Sequence, residues 1–178
     1  MDNGASSYHR FLEGDDRALE EIVELYNKKL ILFLNAHVTN LAVAEDLAAD
    51  TFLELILKKP RFNHESSFKT YLFKIGRNNA LDYLKKQARH PSVPLDELQL
   101  TEQGLFVDEL IRDEQRKELL GAIDRLHPDY RDVLHLLYFE DLSYSDAAAV
   151  LKKSVKQINN LAYRAKNALK AAMEQEVT

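Results

Sequence analysis

The sequence predicts an all-α protein built as two small helical modules joined by a linker. Three observations carry this. Apolar residues recur at three-four spacing through most of the chain, and no segment alternates like a strand. Gly and Pro number only five and four, too few for the tight turns of an all-β fold. The helical pattern lapses over residues 88–112, where Pro91, Pro94, Gly104 and scattered acids read as a connecting segment. The modules are set accordingly at residues 1–88 and 114–178, with 89–113 as the linker.

In the first module, Leu19, Ile22, Val23, Tyr26, Leu30, Phe33 and Leu34 form the core stripe of a helix over about residues 18–37. A second helix carries Ala44, Leu47, Ala48, Thr51, Phe52 and Leu55 on one face, and Pro60 marks its end. A polar loop, RFNHESS, follows. The third helix opens at Ser66 or Ser67, either a suitable N-cap, and carries Phe68, Leu72 and Ile75 inward to about Gln87. In the second module a helix carries Leu119, Leu120, Ile123 and Leu126. His127-Pro128 interrupts it and starts the next helix, with Val133, Leu134 and Leu137 inward. Two more helices complete the module.

Composition narrows the function. No run of about 18 apolar residues is long enough to span a membrane, and the N-terminal residues lack the apolar core of a signal peptide. The expectation is a cytoplasmic protein. With no cysteine, the chain has no disulfide, zinc-thiolate site or thiol nucleophile. His9, His37, His64, His90, His127 and His135 show no metal-ligand spacing, and no phosphate-binding glycine loop or nucleophile elbow is present. Neither enzyme activity, nor a metal, nor a cofactor is expected.

The net charge of −5 would discourage a nucleic-acid partner, but it is distributed in blocks. Residues 1–57 hold eleven acids and four bases, whereas 58–90 hold nine bases against Glu65 and Asp82. Residues 91–118 return to eight acids and three bases. From Ala147 to Met173 there is no acid, while Lys152, Lys153, Lys156, Arg164, Lys166 and Lys170 supply six bases. Two basic blocks flanking an acidic one suggest two surfaces that meet a polyanion.

The second basic block has the organisation of a helix-turn-helix. Ser143 and Asp146 make a capping box for a short helix, Tyr144–Leu151, whose Ala147, Ala148 and Ala149 let another helix cross closely. Lys152-Lys153 makes the turn, and Ser154 caps a helix with Val155, Ile158, Ala162, Ala165 and Leu169 on its inner side. The outer side shows Lys156, Gln157, Asn160, Tyr163, Arg164 and Asn167. Gln and Asn can pair with base edges, and Arg and Lys with guanine or phosphate. A charged helix by itself is more often a solvated surface; two capped helices around a tight turn, in an acid-free stretch, favour DNA.

The stretch YRDVLHLLYFEDLSYSDAAAVLKKSVKQINNLAYRAKNAL resembles region 4 of the sigma-70 family, and most of all its short extracytoplasmic-function (ECF) group. The matching positions are Glu140 with Leu142-Ser143-Tyr144, and Arg164-Ala165-Lys166 through Leu169. Asn159-Asn160-Leu161 departs from the Lys-Ser-Arg of many members. The resemblance implies recognition of the −35 promoter element by Lys156, Gln157, Asn159, Asn160, Tyr163, Arg164 and Lys166.

The N-terminal module carries a second pattern. Asp46, Asp50 and Glu54 lie at i, i+4 and i+8 with Glu45 beside them, a mildly destabilising array of like charges. Leu53 and Leu57 share that flank, away from the core stripe. A solubilising face and a docking surface for a basic partner both fit. The stretch AVAEDLAADTFLELI resembles family region 2.2, which implies docking through Glu45, Asp46, Leu47, Asp50, Leu53 and Glu54 on the β′ clamp coiled coil of core RNA polymerase. FKTYLFKIGRNNALDYLKK is similar to regions 2.3 and 2.4, with Tyr71 for the usual Trp and Gly76 for the usual Ala. It implies melting of the −10 element by Tyr71, Lys74, Arg77 and Asn78 with Arg61, Phe62, Asn63 and His64 of the preceding loop. Aromatic platforms on a cationic track suit single-stranded DNA, although Tyr71 could equally pack in the core, and Asn78 and Asp82 could form a structural pair.

As a whole the resemblance implies an ECF sigma factor whose partners are core polymerase (through the β′ clamp and the β flap), promoter DNA and an anti-sigma factor. Two other classes account for part of the chain. A stand-alone helix-turn-helix regulator explains residues 119–172 only, and a protein-interaction adaptor explains the acidic face only.

Overall fold

The computed structural model describes residues 4–59, 67–90 and 114–176, and among these every regular element is a helix. The chain divides into two compact units, Met1–Val93 and Pro94–Thr178.

The described residues of the first unit form four helices: α1 (Ala5–Leu12), α2 (Asp16–Val38), α3 (Leu41–Lys58) and α4 (Phe68–Arg89). The last three match the sequence periodicity, and α1 is an addition to it. Two apolar residues anchor α1: Tyr8 and Phe11 lie on one side and are 1% and 2% exposed. A pair at i, i+3 is too short a pattern to announce a helix, although Gly14 at φ +104° and the capping Asp15 mark where α1 ends and α2 begins. α2 is the central helix, packing against α1, α3 and α4. Its core is Ile22, Tyr26, Leu30, Phe33 and Leu34, all buried, while the expected Leu19 and Val23 are only half-buried.

The helix ends follow local chemistry. Asn40 caps α3 by accepting from the Val43 amide (3.1 Å), and Ser67, of the two candidate serines, caps α4 by accepting from the Thr70 amide (3.1 Å). Thr39 and Lys59 close α2 and α3 in the left-handed conformation, at φ +50° and +38°. Gly76 has a role that helix propensity hides. A Cβ there would lie 2.9 Å from a Leu30 methyl and 3.6 Å from the Thr51 hydroxyl, so α4 crosses α2 and α3 where glycine leaves room. Beside it the Thr51 hydroxyl donates to the Leu47 carbonyl (2.7 Å) and accepts from the Asn79 amide (3.3 Å).

The second unit contains α5 (Glu114–Asp124), α6 (Pro128–Leu134), α7 (Tyr144–Leu151) and α8 (Val155–Glu176), with a π-helical turn, His135–Phe139, continuing α6. Pro128 occupies the first turn of α6 as expected. The π turn has no sequence signature; the Glu140 amide reaches back to the His135 carbonyl (3.1 Å) and widens the helix just before it stops. α8 packs against α5, α6 and α7. Its buried stripe is Ile158, Ala162 and Ala165. Val155, expected inward, is 45% exposed because it sits on the first turn, beyond the reach of the other helices, and Leu169 is half-buried. Ala149 likewise faces outward, whereas Ala147 and Ala148 are buried.

Candidate nucleic-acid and partner interfaces

The helix-turn-helix is held by a serine cap at the start of each helix, and the cap of α8 is reciprocal. At α7 the Ser143 hydroxyl accepts from the Asp146 amide (3.0 Å) and lies 2.6 Å from its carboxylate. Lys152 turns the chain at φ +53°. At α8 the Ser154 hydroxyl accepts from the Gln157 amide N–H (3.1 Å), while the Gln157 side-chain oxygen accepts from the Ser154 N–H (2.8 Å). The α8 box satisfies two otherwise orphaned backbone donors and the α7 cap one, and a cap contributes about 1 kcal/mol.

The second box changes what Gln157 can do. Bidentate pairing with adenine needs the amide oxygen and nitrogen together, and here the oxygen is committed to the helix start. Gln157 therefore offers only its NH2 donors while the cap stands. Asn159 is also engaged, donating to the Val155 carbonyl (3.1 Å). Lys156, Asn160, Tyr163 and Arg164 are exposed together on the outer face, with Tyr163 the most open at 71%. Lys166 departs from that group. Its ammonium lies 5.1 Å from the Tyr138 ring centroid, and the Tyr138 hydroxyl beside it holds its pKa above the ordinary lysine range. The side chain leans back onto its own module.

On the first unit, Glu45, Asp46 and Asp50 are exposed along α3. Glu54 is half-buried and paired with Lys58 (2.6 Å). Leu53 and Leu57, at 48% and 73% exposure, make this an apolar as well as an acidic face. Leu47 is 7% exposed and lies at the floor. Leu47, Asp50, Leu53, Glu54, Leu57 and Lys58 form one wall of a groove of about 440 Å³ whose other wall is Asn79, Asp82, Tyr83 and Lys86 of α4, and Glu45 and Asp46 lie outside it. A purely solubilising face would not carry two exposed leucines at the lip of a groove.

The proposed −10 residues are less open. Tyr71, Lys74, Arg77 and Asn78 are all half-buried. Burial pushes the Tyr71 hydroxyl pKa up; the Glu54 carboxylate adds to this, and Lys58 opposes it. Tyr71 is thus neither a core residue nor a free platform, but a half-buried ring near Glu54 and Lys58 of α3. Asp82 pairs with Lys85 (3.8 Å) rather than with Asn78, and the amide that ties α4 to α3 is that of Asn79. The sequence signal for Asn79 was weak, since it looks like one more polar residue in an Arg-Asn-Asn run. Arg61, Phe62, Asn63 and His64 lie outside the described residues. Among the described residues, no group of three or more His, Asp or Glu side chains could hold a metal ion, and no helix is long and apolar enough to cross a membrane.

Comparison with known proteins places this geometry. Residues 22–90 match the model of sigma-70 region 2, and residues 116–169 that of sigma-70 region 4. The chain is 27% identical to the ECF RNA polymerase sigma factor SigM of Bacillus subtilis, over 86% of this chain and 93% of that one. It is 31% identical to the ECF RNA polymerase sigma factor SigC of Mycobacterium tuberculosis, over 91% and 86%. In fold it is similar to CnrH, solved in complex with the cytosolic domain of CnrY, at a TM-score of 0.69 and 23% identity over 98% and 99% of the chains. It is similar too to the sigma factor RpoE of Bartonella quintana, solved with the anti-sigma factor NepR, at 0.65 and 23% over 87% and 96%. With an acidic, leucine-bearing helix in one unit, a doubly capped helix-turn-helix in the other, and both regions matched in order, the chain belongs to the sigma-70 family as an ECF RNA polymerase sigma factor, a factor of transcription initiation.

Proposed function

We propose that the chain divides promoter recognition between its two modules, residues 1–88 and 114–178. Asp46, Asp50 and Leu53, with Glu45, Glu54 and Leu47 around them, dock on the β′ clamp coiled coil of core polymerase. The second module rests on the β flap and presents Lys156, Asn160, Tyr163 and Arg164 to the −35 duplex, with Gln157 and Asn159 as donors and Lys166 as an outlying phosphate contact. Tyr71, Lys74, Arg77 and Asn78, together with Arg61, Phe62, Asn63 and His64, open and hold the −10 element. The chain itself performs no chemistry and needs no cofactor. It works in the cytoplasm, where polymerase and chromosome are. An anti-sigma factor covering the groove between α3 and α4 would keep it inactive.

One observation carries this reading: a single unit sets an acidic face with two exposed leucines next to a cationic helix bearing a surface-set tyrosine. A regulator that only bound duplex DNA would need neither. Two modules on a linker bind DNA well only when a scaffold fixes their spacing, so the free chain should bind promoters weakly. The test is run-off transcription with purified core polymerase on promoter fragments selected by the holoenzyme from a randomised library. Promoter-specific transcripts that require the chain support the reading. DNA binding by the free chain with no transcript from any selected fragment would favour the stand-alone regulator instead.

A further inference from the structure

α1 lies before residue 22, outside the stretch matched to sigma-70 region 2, yet it is built into the unit at one particular place. The Tyr8 ring stacks on Phe68 with centroids 4.8 Å apart, and Tyr26 holds Phe68 from another side at 6.2 Å. Phe68 is the first residue of α4, one turn before Tyr71. The other buried ring of α1, Phe11, lies under the ammonium of Lys59, the residue that closes α3, at 5.0 Å. Gly4 makes the approach possible: at φ +84°, a Cβ there would stand 3.1 Å from both Phe68 and Tyr26. Arg10 fastens the outer side by bridging Asp15 (3.1 Å) and Glu21, and Ser7 donates to the same Glu21 carboxylate (2.7 Å).

α1 packs mainly against α2. Beyond that packing, its two buried rings reach the end of α3 and the start of α4, the two points where the chain leaves one helix and enters the next. We propose that α1 is a brace for promoter opening: Tyr8 is a positioning residue that fixes the first turn of α4, and so the placement of Tyr71 and Lys74, while Phe11 holds the end of α3 in register with it. The inference rests on the −10 assignment of Tyr71 given above. Ring stacking suits the task because it fixes orientation as well as distance.

The experiment uses the full chain in holoenzyme and a selected promoter fragment carrying 2-aminopurine in the −10 element, with opening followed by fluorescence. Tyr8→Leu should slow opening about tenfold, the scale of one lost ring pair, while core affinity stays within about twofold of wild type. Tyr8→Phe keeps the stack and should restore the wild-type rate. Arg10→Ala, a substitution on the exposed side of α1 that leaves the core intact, should slow opening by a smaller factor and keeps the test valid if Tyr8→Leu fails to fold. Tyr71→Ala is the reference. Slow opening with Tyr71→Ala but wild-type rates with both Tyr8→Leu and Arg10→Ala overturns the brace and leaves the −10 assignment standing. Wild-type opening with Tyr71→Ala overturns the assignment and the brace with it. A Tyr8→Leu defect that extends equally to core affinity also overturns the brace, since it would mark general loss of the unit.

Discussion

The groove-side face of α3 and the outer face of α8 are the two surfaces proposed for recognition, but they are built in opposite ways. α8 is defined at its own first turn: Ser154 and Gln157 cap it reciprocally, and the side chains that face outward follow from helical geometry. The α3 face is only half a surface. Its leucines and acids become a groove because α4 crosses α3 at Gly76 and is tied to it by Asn79 and Thr51. One interface is a helix; the other is a relation between two helices.

That difference can be broken most sharply at Asp50. Asp50→Lys reverses a charge in the middle of the docking face without touching the core, and should weaken core polymerase binding by about 100-fold, measured by fluorescence anisotropy, with an unchanged circular dichroism spectrum. Unaltered affinity would remove the docking role from that face. On α8 the equivalent test is Arg164→Ala against Lys166→Ala. Arg164→Ala should cost about 1–3 kcal/mol in −35 binding by holoenzyme, whereas Lys166→Ala should cost less, because Lys166 is already turned onto Tyr138; equal losses in a gel-shift titration would contradict the divided roles.

The capping contrast predicts smaller effects. Ser154→Ala removes the hydroxyl half of the box and should destabilise the second unit by about 1 kcal/mol, read from chemical denaturation, while the backbone N–H at 154 can still hold the Gln157 side-chain oxygen. At the α3–α4 crossing, Gly76→Ala gains about 1 kcal/mol of helix propensity but must displace a fully buried Leu30 methyl. Overpacking of this kind costs about 1–3 kcal/mol, so a slightly lower melting temperature is expected; a higher one would show that the crossing tolerates a methyl group. Last is alkaline pH. Burial, with Tyr71 nearby, pushes the Tyr8 hydroxyl pKa up to about 12 from 10. The folded state thus favours the neutral phenol, a contribution complete below pH 10 and lost as pH rises from 10 towards about 12. Tyr8→Phe should flatten the fall in first-unit stability over that window.

Much of the molecule was legible because its signals are local. A capping serine, an acid or amide three residues on, a proline at a helix start and a repeated apolar stripe each act within about one or two helical turns. Ser143, Ser154 and Pro128 therefore mark their helix starts correctly from sequence, and the stripe from Ala44 to Leu55 is buried as read. The acidic face was visible too, because like charges at i, i+4 have no stabilising reason to recur.

What tertiary structure decided depends on residues far apart in the chain. Tyr8 becomes a core residue only because Phe68 stands across from it, and α1 has too few apolar positions to declare itself alone. Gly76 looks like a flaw in α4 until Leu30 and Thr51 are seen beside it. Lys166 reads as a DNA contact from the family resemblance, yet Tyr138, on the π turn, draws it back. Helix starts and outward faces belong to short windows of sequence, where hydrogen bonds and periodicity settle them; crossings, grooves and the final direction of a long side chain depend on partners that the fold alone brings within reach.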